Sequence, residues 1–311
     1  MDASVGLTGC RAAGIERSSC EYDLLIVRPE RNPAATVKVG GGYVDLLFST
    51  ERELMGLHTP EAAISLAFVK PVRDNGMILS TAISLARESL ARNYQRGAEE
   101  RLALSVKAMG RAQEAVSRGS EADAGFWLAS AGYDSAYAWL LASTSLPAPS
   151  HLLSQLRENS RGHPGMFEAF SNAVGLRDAG REACESRLDA LGVIYDLMEV
   201  PSSEGESSSP ESVRASYDLL RSKAMATLSS SQPVDSYCFL GLEAINALPQ
   251  LLTKRLERRD TSQVVSTLSA EENGLLAQSV VQSLKLARPL GAVERGLDTL
   301  RNRVSELSRK T

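Results

Sequence analysis

The residues able to do chemistry lie close together near the start of the chain: Gly9-Cys10, then Glu21-Tyr22-Asp23, then Tyr43-Val44-Asp45. Residues 3–9 (ASVGLTG) read as a first strand that runs into a turn at Gly9, and Leu24–Val27 (LLIV) as a buried strand after it. Side chains alternate between faces along a strand, so Glu21 and Asp23 share one face, and Asp45 in a neighbouring strand can join them. Three carboxylates on one sheet face repel each other unless cations neutralise them. A pair of Mg²⁺ ions about 3.5–4 Å apart is the usual device for nucleotidyl transfer. One ion activates the attacking hydroxyl, and the other steadies the departing pyrophosphate. A glycine turn with exposed N–H groups suits the phosphates. Lys70 and Arg73 end the last strand pattern, where a cation can approach a triphosphate.

The elements that must hold these groups change character near residue 77. Before it, Thr36–Val39 and Tyr43–Phe48 flank Gly40-Gly41-Gly42 and predict a hairpin, while Ala67–Val72 predicts a short strand broken by Pro71. Three or four strands with little helix between them make a small α+β unit. From Met77 onward apolar residues recur at helical spacing. Helices are predicted over 77–91, 101–118, 121–141, 151–159, 166–174 and 178–198, with the breaker Leu146-Pro147-Ala148-Pro149 among them. Residues 201–210 (PSSEGESSSP) lack apolar content and read as a linker. Four more helices follow, over 211–228, 234–258, 270–287 and 290–309. The expected fold is α+β: a small mixed-sheet head at 1–76, a helical domain at 77–200, the linker at 201–210, and a second helical domain at 211–311.

The head resembles the DNA polymerase beta-like nucleotidyltransferases, particularly the minimal nucleotidyltransferases of prokaryotes. Gly9-Cys10, ten residues, then Glu21-Tyr22-Asp23 keeps that family's spacing, and Asp45 matches its third acid. Cys10 stands where the family has a serine, and Glu21 where it has the first aspartate. The resemblance implies ATP as donor and transfer of a nucleotidyl group to a hydroxyl on a small molecule, RNA or protein. It implies Glu21, Asp23 and Asp45 as ligands to Mg²⁺ or Mn²⁺, Asp45 nearest the catalytic base role, and Gly9 and Cys10 as phosphate contacts. Residues 98–198 are similar to the HEPN helical domains that accompany such proteins, through Arg111–Ala115, Phe126–Ala138 and Ser150–Leu156. The ribonuclease motif of many such domains, an Arg and a His separated by four to six residues, finds only Arg157 and His163, with His163 in a Gly-Pro loop, so ribonuclease activity is not expected. The rival to an active transferase is a catalytically degenerate nucleotide-binding or protein-interaction scaffold, as in toxin–antitoxin-like pairs.

Composition narrows the setting. Lys plus Arg number 34 against 38 Asp plus Glu, a net charge of -4 that disfavours a generally basic nucleic-acid binder. No apolar run approaches the ~20 residues that span a bilayer and no signal peptide is visible, so a cytoplasmic protein without membrane contact is expected. Cys10, Cys20, Cys184 and Cys238 lack metal-ligand spacing and read as free thiols. His151, after a capping Ser150, reads as a first-turn residue rather than a metal ligand. Trp127, Tyr133, Tyr137 and Trp139 read as core and groove wall rather than a stacking platform. Helical faces rich in Ala and Leu leave room for a homodimer.

Overall fold

The computed structural model describes residues 3–30, 32–56, 59–160, 164–199, 209–229, 232–256, 262–270 and 275–309. The chain opens with β1 (Ser4–Thr8), a single helical turn α1 (Gly9–Ala13), β2 (Tyr22–Val27), β3 (Ala35–Val39) and β4 (Gly42–Ser49). Two short helices, α2 (Glu51–Met55) and α3 (Pro60–Ala67), lead to β5 (Lys70–Arg73). The five strands form one mixed sheet in the order β3-β4-β2-β1-β5. Only the β2–β4 pair is parallel; the other neighbours are antiparallel.

The head therefore holds more than the three or four strands expected, and two helices besides. Local signals explain both. Thr50 and Glu53 form a reciprocal capping box at the start of α2, and Thr59 caps α3 with Pro60 in its first turn. The strand expected over 67–72 begins only at Lys70, because Ala67 still belongs to α3. Pro71 is tolerated in β5 because that strand lies at the sheet edge, where a missing N–H costs no ladder bond.

The helices that follow are α4 (Ile78–Glu88), α5 (Leu90–Ser117), α6 (Glu121–Ala142), α7 (Leu152–Asn159), α8 (Pro164–Val174) and α9 (Arg181–Glu199). Then come α10 (Pro210–Ser229), α11 (Pro233–Leu256), α12 (Val264–Ser269), α13 (Gln278–Ser283) and α14 (Leu290–Ser308). Of the single helix expected over 270–287, only α13 (Gln278–Ser283) forms among the described residues, while α12 (Val264–Ser269) lies before that range. The linker pattern falls almost wholly on residues outside those described.

One apolar cluster runs from Leu102 on α5 to Leu307 on α14 and takes in residues on both sides of residues 201–210. A smaller cluster, including Val27, Leu66, Leu79 and Ile83, lies under the sheet. Ile64, Tyr94, Ala98 and Leu141 join α3 to the α5–α6 pair. Trp127, Tyr133 and Trp139 are buried, as expected of core residues. Arg187 is buried too, and its guanidinium is held by the carbonyls of Tyr237 and Leu284 and by the Tyr237 ring. Those partners offset the large cost of taking a charge out of water.

Candidate active site

The strand registers build a row of polar side chains across the sheet. Thr8 on β1 pairs with Asp23 on β2, Asp23 pairs with Asp45 on β4, and Asp45 pairs with Thr36 on β3. Direct cross-strand pairing of two carboxylates is unfavourable in itself, so this row does not serve stability. Glu21, just before β2, joins them: one oxygen from each of Glu21, Asp23 and Asp45 lies within 4.8 Å of the others. The expected three acids are thus brought together.

Gly9 is the only residue type that fits beside them. Its φ is +68°, and a Cβ there would fall 1.9 Å from the Asp23 carboxylate oxygen Oδ2. The Gly9 turn therefore comes up against the acids, as the spacing predicted. Cys10 follows in α1 and lines the same cavity.

That cavity has a volume of about 370 Å³ and is walled by the sheet on one side and by α9, α10 and α11 on the other. Helix α10 matches the helix expected over 211–228, but no local pattern announced that it would meet the sheet. Ser212 accepts from the Thr36 backbone N–H at 3.0 Å, and the Ser216 hydroxyl meets the Thr36 hydroxyl at 2.8 Å. The Thr36 hydroxyl in turn donates to Asp45 Oδ1 at 2.7 Å. Farther along the same helix, Lys223 Nζ lies 2.5 Å from Glu21 Oε1, with both side chains mostly buried. The other Glu21 carboxylate oxygen, Oε2, is buried and has no hydrogen-bond partner.

Burial and neighbouring charge set the protonation of this cluster. Burial, reinforced by Glu21 and Asp45, pushes the Asp23 carboxyl up to about 7. Burial also raises Asp45, although the Thr36 hydrogen bond works the other way. Glu243, on α11 at the cavity wall, is raised to about 7 by burial. Burial opposes the Lys223 ammonium, yet Glu21, Asp23 and Asp45 outweigh it and hold the lysine charged.

Lys70 is exposed on the edge strand β5 and does not line the cavity; Lys223 is the lysine that meets the acids. His163 lies outside the described residues. Arg157, its partner in the ribonuclease spacing, donates to Asp235 at 2.6 Å.

The cysteines hold a further difference. Cys20 Sγ lies 3.1 Å from His151 Nε2, and Cys10 shares a side-chain hydrogen bond with Cys20. That hydrogen bond, with help from His151 and the Arg17 N–H, draws the Cys20 thiol down, while the same pairing and burial raise Cys10. Ser150 makes no capping hydrogen bond. His151 closes the 3₁₀ turn Pro149–His151 just before α7, and its side chain is buried against Cys20.

No known protein-family profile matches the chain, and no match is found among curated proteins. Six chains among solved structures match. One is a nucleotidyltransferase-like protein from Exiguobacterium sibiricum 255-15, at 12% identity and a TM-score of 0.33, over 86% of this chain and 85% of that one. Among the described residues no helix is long and apolar enough to cross a membrane.

Proposed function

We propose that the chain is a metal-dependent nucleotidyltransferase that passes a nucleotidyl group from ATP to a hydroxyl acceptor. The observation that carries this reading is the convergence of Glu21, Asp23 and Asp45 within 4.8 Å of one another in a cavity beside the Gly9 turn. The donor set fits a hard divalent cation. All three are carboxylates, and the buried Glu21 Oε2 lacks a partner, a deficit that costs free energy until a cation or donor fills it. Glu21, Asp23 and Asp45 would be the ligands, and bound Mg²⁺ or Mn²⁺ would supply an activated oxygen and charge neutralisation at the phosphates.

The chain's own residues then have separate tasks. Thr36, fixed by Ser212 and Ser216, orients Asp45, whose raised pKa suits it to accept the acceptor's hydroxyl proton. Gly9 and Cys10 offer the turn on which phosphates would lie. Helices α10 and α11 supply the wall that faces the sheet across the cavity. A neighbouring cavity of about 650 Å³ shares Tyr195, Ser216 and Glu243 with the first and gives an acceptor room beside the nucleotide.

One observation favours the scaffold reading instead. Lys223 Nζ, at 2.5 Å from Glu21, is a built-in cation at the acidic cluster. If it never leaves, the head binds partners without catalysing transfer.

Calorimetric titration of ATP with Mn²⁺ or Mg²⁺ separates the readings, followed by incorporation of labelled nucleotide into RNA, small hydroxyl compounds and the chain itself. Metal-dependent binding and labelling that vanish in Asp23→Ala and Asp45→Ala support the transferase. Labelling confined to Lys223→Met identifies the lysine as a block. Binding of ATP without metal, and no labelling in any variant, supports the scaffold.

A further inference from the structure

Beside the acidic cluster, the fold assembles a second set of donors of different chemistry. Cys10 comes from α1, Cys20 from the loop before β2, and His151 from the 3₁₀ turn before α7. Their ligand atoms, two thiol sulfurs and one imidazole nitrogen, all lie within 4.8 Å of one another. The Cys20–His151 distance is 3.1 Å. Tetrahedral zinc, with bonds of about 2.3 Å to sulfur and 2.0–2.1 Å to nitrogen, holds its ligand atoms roughly 3.5–3.8 Å apart. The Cys20–His151 separation is a few tenths of an ångström below that range, and the other two are no more than 4.8 Å, so side-chain adjustments can seat the ion.

We infer that Cys10, Cys20 and His151 form a site for one thiophilic divalent cation of the zinc class, distinct from the carboxylate site for a hard cation. Sulfur and imidazole select such an ion over Mg²⁺, which prefers oxygen. The surroundings are organised as a ligand loop requires. The Arg17 N–H donates to Cys20 Sγ at 3.3 Å, and the Arg17 side chain donates to Ser154 on α7 at 2.8 Å. Arg11 donates to the carbonyl oxygens of Cys20 and Glu21. Such outer contacts fix the orientation of first-layer ligands. Cys20 and His151 are buried, and Cys10 lies on the cavity wall.

The ion would join two parts of the molecule that the chain separates by 131 residues, tying the Gly9–Cys10 turn and the Cys20–Glu21 segment to the helical body. The thiols enter as thiolates and release their protons to solvent; no oxidation state changes. Three protein ligands leave a tetrahedral ion one position for water or for a ligand oxygen from the cavity. This inference stands apart from the transferase reading, since it needs neither ATP nor the three carboxylates.

The test is titration of the reduced, chelator-treated full chain with Co²⁺, read by absorption. One equivalent should produce a thiolate-to-cobalt charge-transfer band and the intense visible bands of tetrahedral cobalt, and Zn²⁺ should bleach both. Cys10→Ser and Cys20→Ser should each weaken binding by more than about a hundredfold, because losing even outer-layer partners of a metal costs about 10–100-fold. His151→Ala should do the same, with circular dichroism confirming that the variant folds. The bands should survive in Glu21→Gln and Asp45→Asn. Absence of the bands in the reduced wild type would overturn the assignment. So would bands unchanged in the two serine variants, bands lost in the carboxylate variants, or a Cys10–Cys20 disulfide in a chain that takes up no cobalt.

Discussion

Asp23 carries the most informative electrostatics in the molecule. In the folded chain it keeps its proton up to about pH 7, against an ordinary carboxyl value of 3.8. Between those values the folded state holds more protons than the unfolded one, so stability falls as pH rises through that window. Glu243, raised to about 7, slopes the same way. In EDTA, Tm should therefore drop across the interval, and Asp23→Asn should flatten the drop and raise Tm at its upper end. A Tm that climbs with pH in EDTA would contradict the raised carboxyls. With Mn²⁺ present the dependence should weaken, because the cation competes for the deprotonated form and binds more tightly as pH approaches neutrality.

At the scale of elements, α10 gives the sheet an opposite wall and so makes a cavity of its face. Ser212, Ser216 and Lys223 lie at helical spacings that put them on one face, and that face meets β3 and the acids. Lys223 and Glu21 are a mostly buried pair, so removing the lysine strands a carboxylate. Lys223→Met should lower metal-free stability by about 3–5 kcal/mol, the usual cost of breaking such a pair from one side. Millimolar Mn²⁺ should restore a large part of that loss, since a divalent cation can take the place of the ammonium beside Glu21. Denaturant unfolding with and without Mn²⁺ measures both. A full loss that Mn²⁺ leaves untouched would argue that the acids hold a lysine and nothing else.

The whole molecule is set by the long apolar cluster that runs from α5 to α14. Because it includes residues on both sides of residues 201–210, a break there should not separate the halves. Limited proteolysis is expected to cut first in that Ser-rich stretch, giving fragments of about 200 and 100 residues. They should elute together in gel filtration and part only in denaturant. Fragments that separate under native conditions would mean that the helical blocks are held together more weakly than their shared core implies.

The sequence by itself determined the local features. Alternation placed Glu21 and Asp23 on one face, the glycines at 40–42 marked the hairpin that sets Asp45 opposite Thr36, and Gly9 marked a turn after the first strand. Each of those rests on interactions between residues near in sequence, and the periods of strand and turn make them readable. The capping box at Thr50 is equally local, yet α2 and α3 went unread along with one strand, because short helices and an edge strand with a proline give little periodic signal. What only the tertiary structure decided are the partners that arrive from far away. Lys223 reaches Glu21 across 202 residues and His151 reaches Cys20 across 131, so no spacing rule along the chain could pair them. The chain marks α10 as a helix with one apolar stripe. Where that stripe docks depends on the packing of every helix around it, and that packing turned an exposed-looking lysine into the countercharge of the site.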